Sequence, residues 1–234
     1  MFQTDPFALI VVLVGLSLIP FVAMIATSYL KIVVVMSLIR NALGIQSIPP
    51  NMVVNALAMI LTFYIMAPVA SESWGAIVES QKTMAAAQGK PASQPANAHE
   101  PSVFDLSSLN LEAASEPFRK FLSDHTAPRE RAFFVKTAET LWGKDGEPAV
   151  VDPESFWILL PSFCVSELTK AFQIGFLVYL PFIAIDIIVS NILLAMGMMM
   201  VSPVTISLPF KLLLFVMVNG WTLLVQGLVK GYII

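Results

Sequence analysis

Apolar positions fall in long blocks along this chain, not in short alternating runs. Residues 7–30 carry no charge and are bounded by Asp5 and Lys31. As a helix this run measures about 36 Å, enough to cross a hydrocarbon core of about 30 Å. A second uncharged block covers 41–71, with its most apolar part at 52–70. Beyond Lys170, residues 171–185 and 187–210 are separated only by Asp186, and 212–229 follow Lys211. The pattern predicts an all-α chain with four hydrophobic spans, arranged as two hairpin pairs around a polar middle. Its three regions are an N-terminal hydrophobic hairpin (1–71), a mostly helical polar insert (72–157) and a C-terminal hydrophobic hairpin (158–234).

Within the insert, residues 83–102 are rich in Ala, Gln, Pro and Ser and predict a flexible connection. Leu111, Ala114, Phe118, Phe121 and Leu122 then share one helical face. A second helix is expected from Pro128 to just before Gly143, with Phe134, Ala138 and Leu141 as its buried stripe. Asp152 reads as the N-cap of the next helix, with Pro153 in its first position.

Composition places the chain in a membrane. Hydrophobic residues make up 57% and charged residues 12%, against about 25% charged in a soluble domain. Mean hydropathy is +0.79. This excludes an ordinary soluble enzyme, a disordered chain and a secreted disulfide scaffold. A net charge of −3 offers no basic excess for nucleic acid. Cys164 is the sole cysteine, and His99 and His125 are the only histidines, so neither a disulfide, a zinc set nor a cofactor is expected. The first block reads as retained and not as a cleaved leader. Asp5 is the only charge before it, and the run exceeds the usual length of about 7–15 residues. Lys31 and Arg40, with no acid in 31–50, favour the cytoplasmic side for that connection. The 72–157 region holds 8 Lys/Arg and 13 Asp/Glu and reads as external.

Some residues break the apolar pattern. A carboxylate at the centre of a lipid-facing helix costs about 2.5–3.5 kcal/mol, so Asp186 should face protein or water. It serves either as a proton relay or as a hydrogen-bonding anchor, and the lack of a second acid or histidine in its run favours the anchor. Glu167 and Lys211 flank it as candidate partners for each other or for neighbouring chains. Pro20, Pro68, Pro161, Pro181, Pro203 and Pro209 predict kinked or broken helices, which fit a packed assembly better than lipid-bathed rods. Met196, Met198, Met199 and Met200 cluster between the last two blocks. They read either as adaptable filler or, from several copies, as a deformable ring closing a pore. With no nucleophile elbow and no P-loop, the chain carries no enzymatic constellation. The alternative of a different class is a proton-coupled secondary transporter using Asp186. The chain lacks the repeated halves and multiple intramembrane ionisable groups such proteins show.

The strings PSFCVSELTKAFQIGF (161–176), YLPFIAIDIIVSNILLAMGMMMVSP (179–203) and LPFKLLLFV (208–216) carry a resemblance, as do TSYLKIVVVMSLIRNALGIQSIPPN (27–51) and FYIMAPV (63–69). The chain resembles the type III secretion export-apparatus R subunits, the injectisome relatives of flagellar biosynthesis protein FliP. The likeness covers nearly everything outside roughly 72–110. It implies kinked helices wound into a helical export gate in the bacterial inner membrane, commonly with five copies of this subunit beside the S and T subunits, and with much of the complex on the periplasmic side. Unfolded substrate proteins would pass through that gate. It also implies that Met198, Met199 and Met200 form a pore gasket. Members usually carry Asp before Gly-Trp in the last helix, whereas this chain reads Asn219-Gly220-Trp221. Asn219 can keep a hydrogen bond there but not a charge.

Overall fold

The computed structural model describes residues 6–45, 49–87, 111–143, 149–198 and 200–233. These form eight helices and no strand: α1 (Pro6–Ile25), α2 (Tyr29–Ala42), α3 (Asn51–Ala87), α4 (Leu111–His125), α5 (Pro128–Trp142), α6 (Phe156–Ala195), α7 (Pro203–Met217) and α8 (Gly220–Lys230).

The hydropathy blocks do not map one to one onto helices. Residues 7–30 are not a single rod. α1 stops at Ile25, and the chain turns by 60° into α2. Thr27 marks the break, its hydroxyl donating to the Ala23 carbonyl at 2.7 Å. The 31–50 stretch, expected as a connection, is mostly α2, and Ile32, Val35, Met36 and Ile39 of that helix are fully buried. Hydropathy missed this because Lys31 and Arg40 interrupt the apolar run, yet Lys31 is only 3% exposed. The last block is likewise bent, by 59° between α7 and α8. Two helices, α3 and α6, are long and apolar enough to cross a membrane alone, and the bent pairs raise the possible count to four.

The prolines interrupt less than expected. Pro20, Pro68, Pro161, Pro181 and Pro209 all lie inside continuous helices, and Pro203 starts α7. A proline frees carbonyls one turn earlier, and nearby hydroxyls can satisfy them. The carbonyl Pro161 frees is that of Trp157, and beside it Ser162 donates to the neighbouring Ile158 carbonyl at 2.6 Å. The true breaks fall at residues 26–28 and 218–219. At the second, Asn219 takes a left-handed conformation (φ 52°, ψ 46°), one that asparagine tolerates better than most residues.

At about 1.5 Å per residue, α6 is about 60 Å long and α3 about 55 Å. Both exceed a bilayer core. α3 runs unbroken through residue 71 and includes residues 83–87 of the expected linker; residues 88–102 lie outside the described residues. α2 packs between α3 and α6, and its apolar residues make the main core with Ala58, Ala171, Phe182, Phe215, Leu224 and Leu228. A smaller core joins α4 to α6 through Phe121, Leu122, Leu159 and Phe163, with Phe118 half-buried beside them.

In α5 the Pro-start and Gly-stop fall where expected, at Pro128 and Gly143. Its stripe is narrower than the period suggested. Ala138 is buried, while Leu141 is 73% exposed. Asp152 is not the cap of α6. Its carboxylate accepts from the Glu154 amide at 3.0 Å in a turn, and α6 begins four residues later with Ser155 in the N-cap position.

Candidate functional site

Burying a charge in a lipid-facing protein is costly unless it is paired, so the buried charged residues mark where the fold commits its chemistry. Two clusters stand out. In the first, Glu167 on α6 is fully buried. Its Oε2 lies 3.1 Å from Nζ of Lys31 on α2, and its Oε1 lies 3.0 Å from Nζ of Lys170 one turn along α6. The Tyr232 hydroxyl donates to Oε2 as well. Lys31 Nζ also sits 3.4 Å from the centroid of the Tyr232 ring, a cation–π contact of the kind that gains strength when desolvated. Lys170 donates at 2.7 Å to the His125 carbonyl at the end of α4, satisfying a carbonyl that a helix terminus leaves open. Beside it, Ser166 accepts from the Ala127 amide at 2.9 Å and pins the α4–α5 turn onto α6. One carboxylate therefore ties α2, α4, α6 and the C-terminal turn together.

The second cluster joins α6, α7 and α2. Lys211 is 3% exposed. Its Nζ meets Asp186 Oδ2 at 2.6 Å and donates to the Ala42 carbonyl at 3.3 Å. Asp186 Oδ1 accepts from Ser207 at 2.6 Å. Lys211 thus meets Asp186 and not Glu167. The Ala42 contact adds a cation at the C-terminal end of α2, where the helix dipole favours it.

The methionines lie on the turn from α6 to α7. Gly197, at φ 74°, gives that turn its left-handed residue. Its amide bonds to the Leu194 carbonyl, and the Met198 amide to that of Leu193 at 2.9 Å. This paired arrangement closes the helix end. Met196, Met198 and Met200 are 65%, 45% and 101% exposed, so within one chain they are not core filler. Met199 lies outside the described residues. Asn219 is exposed at the α7–α8 break, with no side-chain hydrogen bond to the cap of α8.

The structure brings Asp186 and Lys211 together and keeps Glu167, the methionine turn and Asn219 at separate places. Reasoning from sequence missed Lys31, Lys170, Ser207 and Tyr232. The cost argument applied to Asp186 would have flagged Lys31, had its run not been read as a connection. Tyr232 gave no signal, because a tyrosine near a terminus carries no pattern.

Much of the apolar surface stays uncovered. Within the apolar windows of α3 and α6 only 17% and 11% of residues are buried. Lipid or other chains must cover the remainder.

Comparison with known proteins follows the same outline. Residues 12–228 match the FliP family. The chain is 48% identical over 230 residues to Yop proteins translocation protein R of Yersinia pestis, covering 97% of each chain. It is 45% identical to hypersensitivity response secretion protein HrcR of Ralstonia nicotianae, over 96% of each. It is also 42% identical to virulence protein YscR of Salmonella typhimurium, over 97% of each.

Proposed function

Since the chain belongs to the FliP family and aligns end to end with secretion R proteins, we infer that it is the R subunit of a type III secretion export gate, with the 196–200 turn at the narrowest part of the pore. It is a structural component of a secretion apparatus in the bacterial inner membrane. Several copies, five by family likeness, assemble with the S and T subunits, and unfolded secreted proteins pass between them. The uncovered apolar faces of α3 and α6 supply the contact surface, partly to lipid and partly to neighbouring subunits. The insert then lies on the periplasmic side. The transporter reading gains no support from the relatives, and Asp186 is already held by Lys211 and Ser207.

One observation carries the pore reading. Exposed methionines sit on a rigidly closed turn at the tip of a helical hairpin. Methionine is unbranched and polarizable, so a ring of such turns packs without fixed geometry, sealing against ions yet yielding to a polypeptide. Replacing Met198, Met199 and Met200 with alanine should leave complex yield normal and make the membrane leaky to small ions. Normal yield with unchanged conductance would exclude the gasket.

A further inference from the structure

The C-terminal turn is built into the first charge cluster in a way that no pore function requires. Residues 231–233 continue past α8 in a hydrogen-bonded turn: the Gly231 amide reaches the Gly227 carbonyl at 3.1 Å, the Tyr232 amide that of Val229 at 3.0 Å, and the Ile233 amide that of Lys230 at 3.1 Å. This holds the Tyr232 ring in a defined place. The ring lies under Lys31, stacks on Phe121 at 6.1 Å and 17°, and meets the His125 ring at 5.0 Å. Its hydroxyl ends on Glu167. One side chain therefore touches α2, α4 and α6 at once.

The rest of α8 is held less firmly. Its near end follows the left-handed Asn219 at a 59° bend, where Gly220 lies close against the Phe215 ring and Trp221 meets that ring edge-on. Leu224 and Leu228 reach the main core, yet a cleft of about 350 Å³ opens beside them, lined also by Val178, Pro181 and Leu223. With its near end seated on Phe215 beside the bend and a cleft open along its middle, the helix takes its angle from its far end.

We propose that residues 231–233 form a clasp, in which Tyr232 closes over the Lys31–Glu167–Lys170 cluster and holds α8 against the body of the subunit, so that releasing Tyr232 frees α8 to swing about Asn219. The clasp is independent of the pore reading, because it concerns contacts within one chain. It also makes the last residues a control point. Anything that draws Tyr232 out, such as a subunit competing for its ring, loosens α8 without touching the methionine turn.

The test uses assembled complexes in native membranes, with Cys164→Ser removing the natural thiol and a single reporter cysteine at Leu228→Cys or Ala58→Cys. Both reporter positions are buried, at 2% and 0% exposure, but only the first is on α8. With Tyr232 intact, neither should react with a maleimide. With Tyr232→Ala, the α8 reporter should react at least tenfold faster while the α3 reporter stays protected. No acceleration at position 228 would overturn the clasp. Equal opening of both reporters would also overturn it, since Tyr232 would then be a general core residue. Should Tyr232→Ala fail to accumulate, Tyr232→Phe keeps the ring and tests the hydroxyl. It should lower the melting temperature in the wild-type background but not when Glu167→Leu, which leaves no acceptor, is already present. Equal losses in the two backgrounds would overturn the assignment of the hydroxyl to Glu167.

Discussion

Replacing Lys211 with methionine keeps most of the side-chain volume and deletes the charge. Lys211 is almost fully buried and holds Asp186 at 2.6 Å, while Asp186 is about one-third exposed. Removing one member of a fully buried ion pair costs about 3–5 kcal/mol, mainly because the other is left uncompensated. Partial access of Asp186 to water relieves some of this, and Ser207 still donates to it. The expected loss is therefore about 2–3 kcal/mol. Losing the cation over the Ala42 carbonyl adds about 0.3–1 kcal/mol. Pairing the change with Asp186→Leu removes the orphaned carboxylate and should recover all but the helix-terminus contribution, because apolar replacements of buried pairs are often neutral. At about 2–4 °C per kcal/mol for a chain of this size, complexes carrying Lys211→Met should melt roughly 5–16 °C lower, and the double variant within roughly 4 °C of wild type. Tryptophan fluorescence of the purified complex during heating reads both. A double variant as unstable as the sum of its singles would refute the pairing argument.

Other expectations follow from single positions. A Cβ on Gly175 would collide with Leu38 where α6 meets α2, so Gly175→Ala should cut complex yield, and adding Leu38→Ala should restore part of it. Asn219→Val forces a β-branched residue into a left-handed conformation at a cost of about 1–2 kcal/mol. It should lower thermal stability, whereas Asn219→Asp should be nearly neutral. Shortening the polar stretch by deleting residues 88–98 should leave assembly intact, as measured by co-purification, while deleting 161–176 abolishes it.

The helices of the insert were legible because α4 and α5 are solvated on one face, so their period and their Pro and Gly boundaries survive in the sequence. The membrane-facing helices were legible as apolar mass but not as shape. An apolar run looks the same whether it is straight or bent at Thr27. A lysine that ends such a run looks like a boundary even when, like Lys31, it is buried in a contact with a carboxylate far along the chain. Cost alone says that Asp186 should face protein or water, and it holds a hydrogen bond and an ion pair. Lys211 reads from sequence as a partner for Glu167 or for a neighbouring chain, and that it meets Asp186 instead is visible only in three dimensions. The methionine turn announced itself by composition. The Schellman-type closure around Gly197 that stiffens it is written only in a single glycine.

The Lys31–Glu167–Tyr232 contact also sets a schedule for biosynthesis. Lys31 emerges early, its carboxylate comes much later, and the tyrosine that covers both comes later still. At about 5–20 residues per second, the roughly 200 residues between Lys31 and Tyr232 take on the order of 10–40 s to synthesise. Throughout that interval α2 holds an ammonium group that must not be left in hydrocarbon, so the N-terminal half waits at a hydrated surface or beside an insertion factor. The subunit can close around Lys31 only once Tyr232 has been made.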